Sequence, residues 1–147
     1  MPHAEHRVTI AQPIETVFAY LEDGRNNPRG RRGVLQIEPV TGGPGLGKRY
    51  RQVLQGPAGR AIDGDYEVTE HEPPRVLAFR VVAGPARPTG RFVLSPADGG
   101  GTEVSFALDL APAGVARLMG PMIARQMNRE VHALDELKRV LETGTSA

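Results

Sequence analysis

An α+β fold, with an antiparallel sheet of about six or seven strands under one long C-terminal helix, is what this sequence predicts. Three observations carry it. From Ala113 to Thr143, apolar side chains recur at steps of mostly three or four: Val115, Leu118, Met119, Met122, Ile123, Met127, Val131, Leu134, Leu137 and Leu141. They line one stripe of a helix on the order of 45 Å long. From Val34 to Leu110 the period is two instead, and turn residues cut the alternation into hairpin-length runs. Strands therefore run together while helices stand apart, the mark of an antiparallel sheet with one face needing a cover.

The elements follow in order. His6 to Ala11 alternates as a short strand, with Val8 and Ile10 on one face. Pro13 suits the first turn of a helix, whose buried side is Val17, Phe18 and Leu21 and whose end is Asp23-Gly24. Arg25 to Gly33 is polar and basic and reads as a loop or a loose helical turn. Leu35 and Ile37 then oppose Gln36 and Glu38, and Thr41 to Gly47 turns the chain. Tyr50, Gln52 and Leu54 alternate with Arg49, Arg51 and Val53; after the turn at Gly56 to Gly59, Ile62, Tyr66 and Val68 oppose Asp63, Asp65, Glu67 and Thr69. Val76 to Val82, a run around Phe92 and Leu94, and Glu103 to Leu110 supply three further strands. Pro112 ends them. Pro121, inside the apolar stripe, predicts a bend in the long helix or a break between a lead segment and the main one.

Composition narrows the function classes. A chain of 147 residues fits one domain, 1–147, with 1–5 and 144–147 expected to fray. With a net charge of +1 there is no electrostatic case for nucleic acid or an anionic membrane as partner. The absence of cysteine removes disulfides, thiolate catalysis and cysteine-ligated metals. No stretch approaches the roughly 20 apolar residues that span a bilayer, so a cytoplasmic protein without stable membrane insertion is expected. The 18 glycines and 13 prolines are scattered as turn dipeptides, consistent with many hairpins.

Motifs that resemble chemistry are weak. Gly42 to Lys48 has the glycine spacing of a phosphate loop, but Arg49 stands where serine or threonine would hold magnesium, and the segment joins two strands. It reads as a hairpin turn. Arg29, Arg31 and Arg32 form a small basic cluster able to draw an anionic group, though it reads first as a solvated loop. Asp63, Asp65 and Glu67 fall on one strand face opposite Tyr66, which directs them to water rather than to acid–base work. His3, His6, His71 and His132 have no metal-site spacing, and no metal or other cofactor is expected. Tyr50 or Tyr66 polarising a carbonyl, with Arg80 or Arg91 assisting if either turns inward, is the nearest approach to catalysis.

Val8 to Asp23, running strand into helix through Gln12-Pro13-Ile14-Glu15-Thr16-Val17-Phe18, resembles the opening of the polyketide cyclase/dehydrase and lipid-transport group of the START/Bet v 1-like superfamily. Gly43 to Tyr50, Asp65 to Glu70, Pro73 to Phe79 and Gly100 to Val104 are similar to its later hairpins, so the resemblance covers essentially the whole chain. One departure is the lack of any tryptophan after the first helix, where Arg25 to Arg32 stands instead; a different cavity mouth is expected. The resemblance implies a helix-grip fold: a curved sheet wraps the long helix and encloses a mainly apolar cavity. Strand parity puts Tyr50, Gln52, Leu54, Tyr66, Val68, Phe79, Phe92, Phe106 and Leu108 on its inner face, with Met119, Met122 and Met127 opposite on the helix. The implied function is binding of a small hydrophobic or amphipathic molecule, lipid- or polyketide-like. A cyclase or dehydratase and a protein-interaction module are the alternatives, and open sheet edges make a homodimer plausible.

Overall fold

The computed structural model describes residues 3–26, 34–41, 45–55, 59–84, 87–110 and 120–143, with side chains described throughout these except at 41, 120–124 and 126. Eight strands form one antiparallel sheet: β1 (His3–Ile10), β2 (Val34–Thr41), β3 (Arg49–Gln55), β4 (Ala61–Asp63), β5 (Tyr66–Glu72), β6 (Val76–Val81), β7 (Thr89–Pro96) and β8 (Thr102–Asp109). The spatial order is β1-β8-β7-β6-β5-β3-β2, with β4 pairing β3 off that path. Helix α1 (Ile14–Glu22) and a 3₁₀ turn at Gly24–Asn26 link β1 to β2; α2 (Gly120–Val131) and α3 (Ala133–Glu142) close the chain.

The first strand starts earlier than its apolar alternation indicates. His3 to Glu5, expected to fray, pair with residues 107–109 of β8. Polar side chains there hide a strand whose backbone groups are satisfied by its neighbour. His3 Nδ1 lies 2.6 Å from Asp109 Oδ1, and that carboxylate raises the imidazole pKa above its ordinary 6.5. The raised value fixes the sign: the pairing contributes fully below the ordinary value and is lost as pH rises through the raised one. In an NMR titration His3 is expected to titrate above 6.5 and to fall back toward it in Asp109→Asn. An unchanged midpoint in the variant contradicts the pairing.

Two strands depart from simple alternation. The run from Ile62 to Thr69 is split between β4 and β5 at Gly64, which is buried and donates its N–H to Gln52 O at 2.8 Å. A Cβ at Gly64 would stand 2.6 Å from Leu54 Cδ1, so any larger residue there requires the Leu54 side chain to shift. In β2 a bulge between Val34 and Gln36 turns Leu35 outward, correcting the parity that put it beside Ile37. Val34 is buried instead, while Leu35 is 53% and Val40 49% exposed. Both lie on an edge strand that carries Pro39, a residue that cannot donate to a further strand.

The described C-terminal helix starts beside Pro121, where the break reading begins the main helix, and is interrupted further on, at a position no proline marks. Helix α2 begins at Gly120, so Pro121 sits in a first turn where its missing N–H costs nothing. The interruption falls at His132: its N–H donates to Asn128 O at 3.2 Å, and Asp135 N–H donates to His132 O at 3.0 Å. That second bond spans three residues, a local tightening within right-handed backbone (φ −74°, ψ −5°). The segment preceding Gly120, including Met119, lies outside the described residues. Helices α2 and α3 lie against β1, and α2 also meets β8.

The core forms where these layers meet, with Ile10, Val17, Leu94, Val104, Val131 and Leu134 almost wholly removed from water. The helix end is tied down by polar groups as well. Thr102 Oγ1 donates to Gln12 O at 2.8 Å, and Gln12 Nε2 donates to Leu141 O at 2.9 Å. The outer face is wet: Glu67 accepts from Arg49 and Arg80, and Glu70 from Arg91. Among the described residues no helix is long and apolar enough to cross a membrane.

Candidate functional site

Strand parity brings five aromatic rings to the inner face as one continuous floor. Tyr50 on β3 stacks on Tyr66 of β5 with centroids 5.1 Å apart. Tyr66 meets Phe79 of β6 at 5.3 Å, and Phe79 meets Phe92 of β7 at 6.4 Å and Phe106 of β8 at 6.1 Å. Phe92 and Phe106 are cross-strand partners whose rings stack at 4.1 Å. Above the floor, α3 presents Ala133, Leu134 and Leu137, and α1 presents Tyr20, Leu21 and Glu22. Between them lies a cavity of about 70 Å³, also bordered by Asn26, Val68 and Leu77.

Glycine makes the floor possible. Gly90 pairs directly with Phe79 across β6 and β7. A Cβ there would stand 2.3 Å from Phe79 Cζ, because the ring lies over the glycine backbone. At the polar end, buried Gly24 does the same for the tyrosines. Its N–H donates to Tyr50 Oη at 3.1 Å, and a Cβ on it would meet Tyr66 Oη at 2.3 Å. The Tyr50 hydroxyl in turn donates to Glu22 O at 3.5 Å, a long bond. The turn after α1 is thereby seated on the two hydroxyls.

A bulge then adds a residue that alternation does not place here. Val68 pairs with Phe79 and Glu70 with Ala78, so Thr69 is the extra residue in β5. The parity flip sends Glu70 out to Arg91 and turns His71 in, beside Leu77. His71 packs on Phe18 with ring centroids 5.7 Å apart, and its Nε2 lies 2.7 Å from Glu22 Oε2. Glu22, a residue that lines the apolar cavity, is thus paired through its carboxylate with an imidazole behind it. Nearby, Arg25 is chelated by Asp23 at 2.9 and 2.8 Å, which holds the Asp23 carboxyl below its ordinary range.

Of the residues expected to line a cavity, Tyr50, Tyr66, Val68, Phe79, Phe92 and Phe106 do so together. Gln52 is buried outside it, donating from Nε2 to Gly64 O at 3.2 Å, with Leu54 at the same glycine. Leu108 and Met127 are buried in the core rather than at the cavity. Met119 and the side chain of Met122 lie outside the described residues, as do Arg29, Arg31 and Arg32. Arg80 and Arg91 do not turn inward: both pair with outer-face glutamates. Asp65 is drawn out of the acidic row to accept the Gln52 N–H at 3.1 Å. Among the described residues no group of three or more histidine, cysteine or acidic side chains could hold a metal.

With this geometry in hand, comparison with known proteins is informative. The sequence model of the family described as polyketide cyclase/dehydrase and lipid transport matches residues 1–142. A solved structure from Thermus thermophilus superposes with a TM-score of 0.81 at 22% identity, covering 99% of this chain and 100% of that one. A START superfamily protein from Mycobacterium smegmatis gives 0.77 at 16% identity, with 96% and 97% covered. The Zhui aromatase/cyclase from Streptomyces sp. R1128 gives 0.73 at 21% identity, with 96% and 91% covered. At these identities the structural likeness speaks for the fold alone. Comparison with curated proteins finds no match.

Proposed function

We propose, from the premise that this chain belongs to the polyketide cyclase/dehydrase and lipid transport family, that it binds a small, mainly apolar molecule between the aromatic floor and α3. The observation that carries this reading is the division of the cavity wall. Floor and roof are ring faces and aliphatic side chains, while Tyr50, Tyr66, Glu22 and Asn26 gather around the turn that follows α1. Apolar walls supply the driving force for burial, and a few convergent polar groups fix orientation. Such binding is the first step for a carrier and for a cyclase alike.

The cavity of about 70 Å³ is far below the roughly 300–1,000 Å³ of a drug-sized site, so binding is coupled to movement of the lining side chains. Thermal unfolding against a panel of aromatic alcohols, short lipids and polyketide-like phenols tests the reading. A binder at about 100 times its Kd is expected to add about 2.7 kcal/mol of stability. A panel that leaves the Tm unmoved throughout contradicts it.

A further inference from the structure

The polar end of the cavity has a definite sign. Glu22 is the one charged residue among the described residues that line it; the other polar liners are Tyr20, Asn26, Tyr50 and Tyr66. Two cations stand close by without lining it: Arg25 is held by Asp23, and Lys48 Nζ sits 5.5 Å from the Tyr50 ring centroid. Glu22 itself is held rather than swinging. Its Oε2 lies 2.7 Å from His71 Nε2, and its side chain is 34% exposed against 19% for His71. Its other oxygen, Oε1, takes no hydrogen bond from any described residue. The imidazole is wedged in turn, between Phe18 and the turn at Gly45, where a Cβ would stand 3.1 Å from His71 Nδ1.

We propose that Glu22, positioned by His71, recognises the polar end of the ligand, and that this end is a hydrogen-bond donor, a hydroxyl or an ammonium. The inference rests on the binding reading above and names the ligand class for that cavity. An ionised carboxylate only accepts hydrogen bonds, so it complements a donor and repels a second carboxylate brought beside it into an apolar site. His71 is a positioning residue: it fixes one carboxylate oxygen so that the other is presented in a constant direction.

Four probes with one apolar body test this: 3-phenylpropan-1-ol, 3-phenylpropylamine, 3-phenylpropionate and propylbenzene, titrated calorimetrically into the full chain at neutral pH. The alcohol and the amine are expected to bind about tenfold tighter than the propionate, the scale of one hydrogen bond to a charged group. Glu22→Gln, which keeps an acceptor for His71, should bring amine and propionate within about threefold of one another. His71→Gln retains a side-chain donor and should preserve the ranking, whereas His71→Phe should erase it with the alcohol's affinity falling toward that of propylbenzene. Propionate binding as tightly as the alcohol overturns the proposal, and that is the result expected if the basic segment at Arg29, Arg31 and Arg32 governs recognition. A ranking that survives Glu22→Gln overturns it too, and one that survives His71→Phe removes the role of His71. Propylbenzene binding alongside either of these results leaves the cavity reading intact; failure of all four probes, propylbenzene included, overturns both.

Discussion

Phe106→Ala is expected to lower the stability of the chain by about 3–5 kcal/mol, the range for truncating a buried phenylalanine. The side chain is 3% exposed and belongs to the core as well as to the cavity floor. It loses its stacked partner Phe92 and its approach to Phe79 together. For a domain of this size the loss corresponds to a fall in Tm of roughly 10 °C. The vacated space adjoins the cavity, so an apolar ligand with an extra ring should recover part of the loss in the variant and little in the parent. Chemical denaturation with and without 4-propylbiphenyl, which carries that extra ring, checks both halves. A loss below about 1 kcal/mol would mean that the aromatic floor collapses to fill the space, and that it is not a fixed surface.

Gly90→Val is the second large effect, in the opposite sense of packing. The new side chain begins 2.3 Å from Phe79 Cζ, and the Phe79 ring is flanked by Tyr66, Phe92 and Phe106. Overpacking of this kind costs about 1–3 kcal/mol, and here the displaced ring is driven into the cavity. Ligand affinity should therefore fall along with stability. Shortening the obstructing ring tests the cause: Phe79→Leu combined with Gly90→Val is expected to be less destabilised than the two single changes added together. Strict additivity would show that the valine is tolerated some other way.

How much of this was legible in the sequence depends on which physical signal each feature leaves. Alternation at period two is dictated by side-chain geometry, so Tyr50, Tyr66, Val68, Phe79, Phe92 and Phe106 could be placed on one inner face without coordinates. A bulge shifts that parity by one residue and leaves almost no mark in composition. That is why Leu35, which alternation groups with Ile37, is exposed, and why His71, outside the expected lining, meets Glu22. The only hint at His71 was a histidine within an otherwise acidic run. The helix contribution was displaced along the chain for a related reason. The apolar stripe includes Leu134 and Leu137 as well as the methionines, and periodicity cannot say which turn of a long helix lies over the cavity. Nor does sequence decide whether Pro121 bends the helix or begins it, or show that a tightening comes at His132. Those depend on where the helix docks against β1, a tertiary matter.

The measurement that bears most directly on the central claim is a methyl- and aromatic-labelled NMR titration of the chain with 3-phenylpropan-1-ol. The account predicts concerted shifts for the methyl groups of Leu77, Leu134 and Leu137 and the rings of Tyr50, Tyr66 and Phe79, which converge on one cavity. Shifts confined to the exposed Leu35, Val40 and Leu46, or no saturable shift at all, would contradict it.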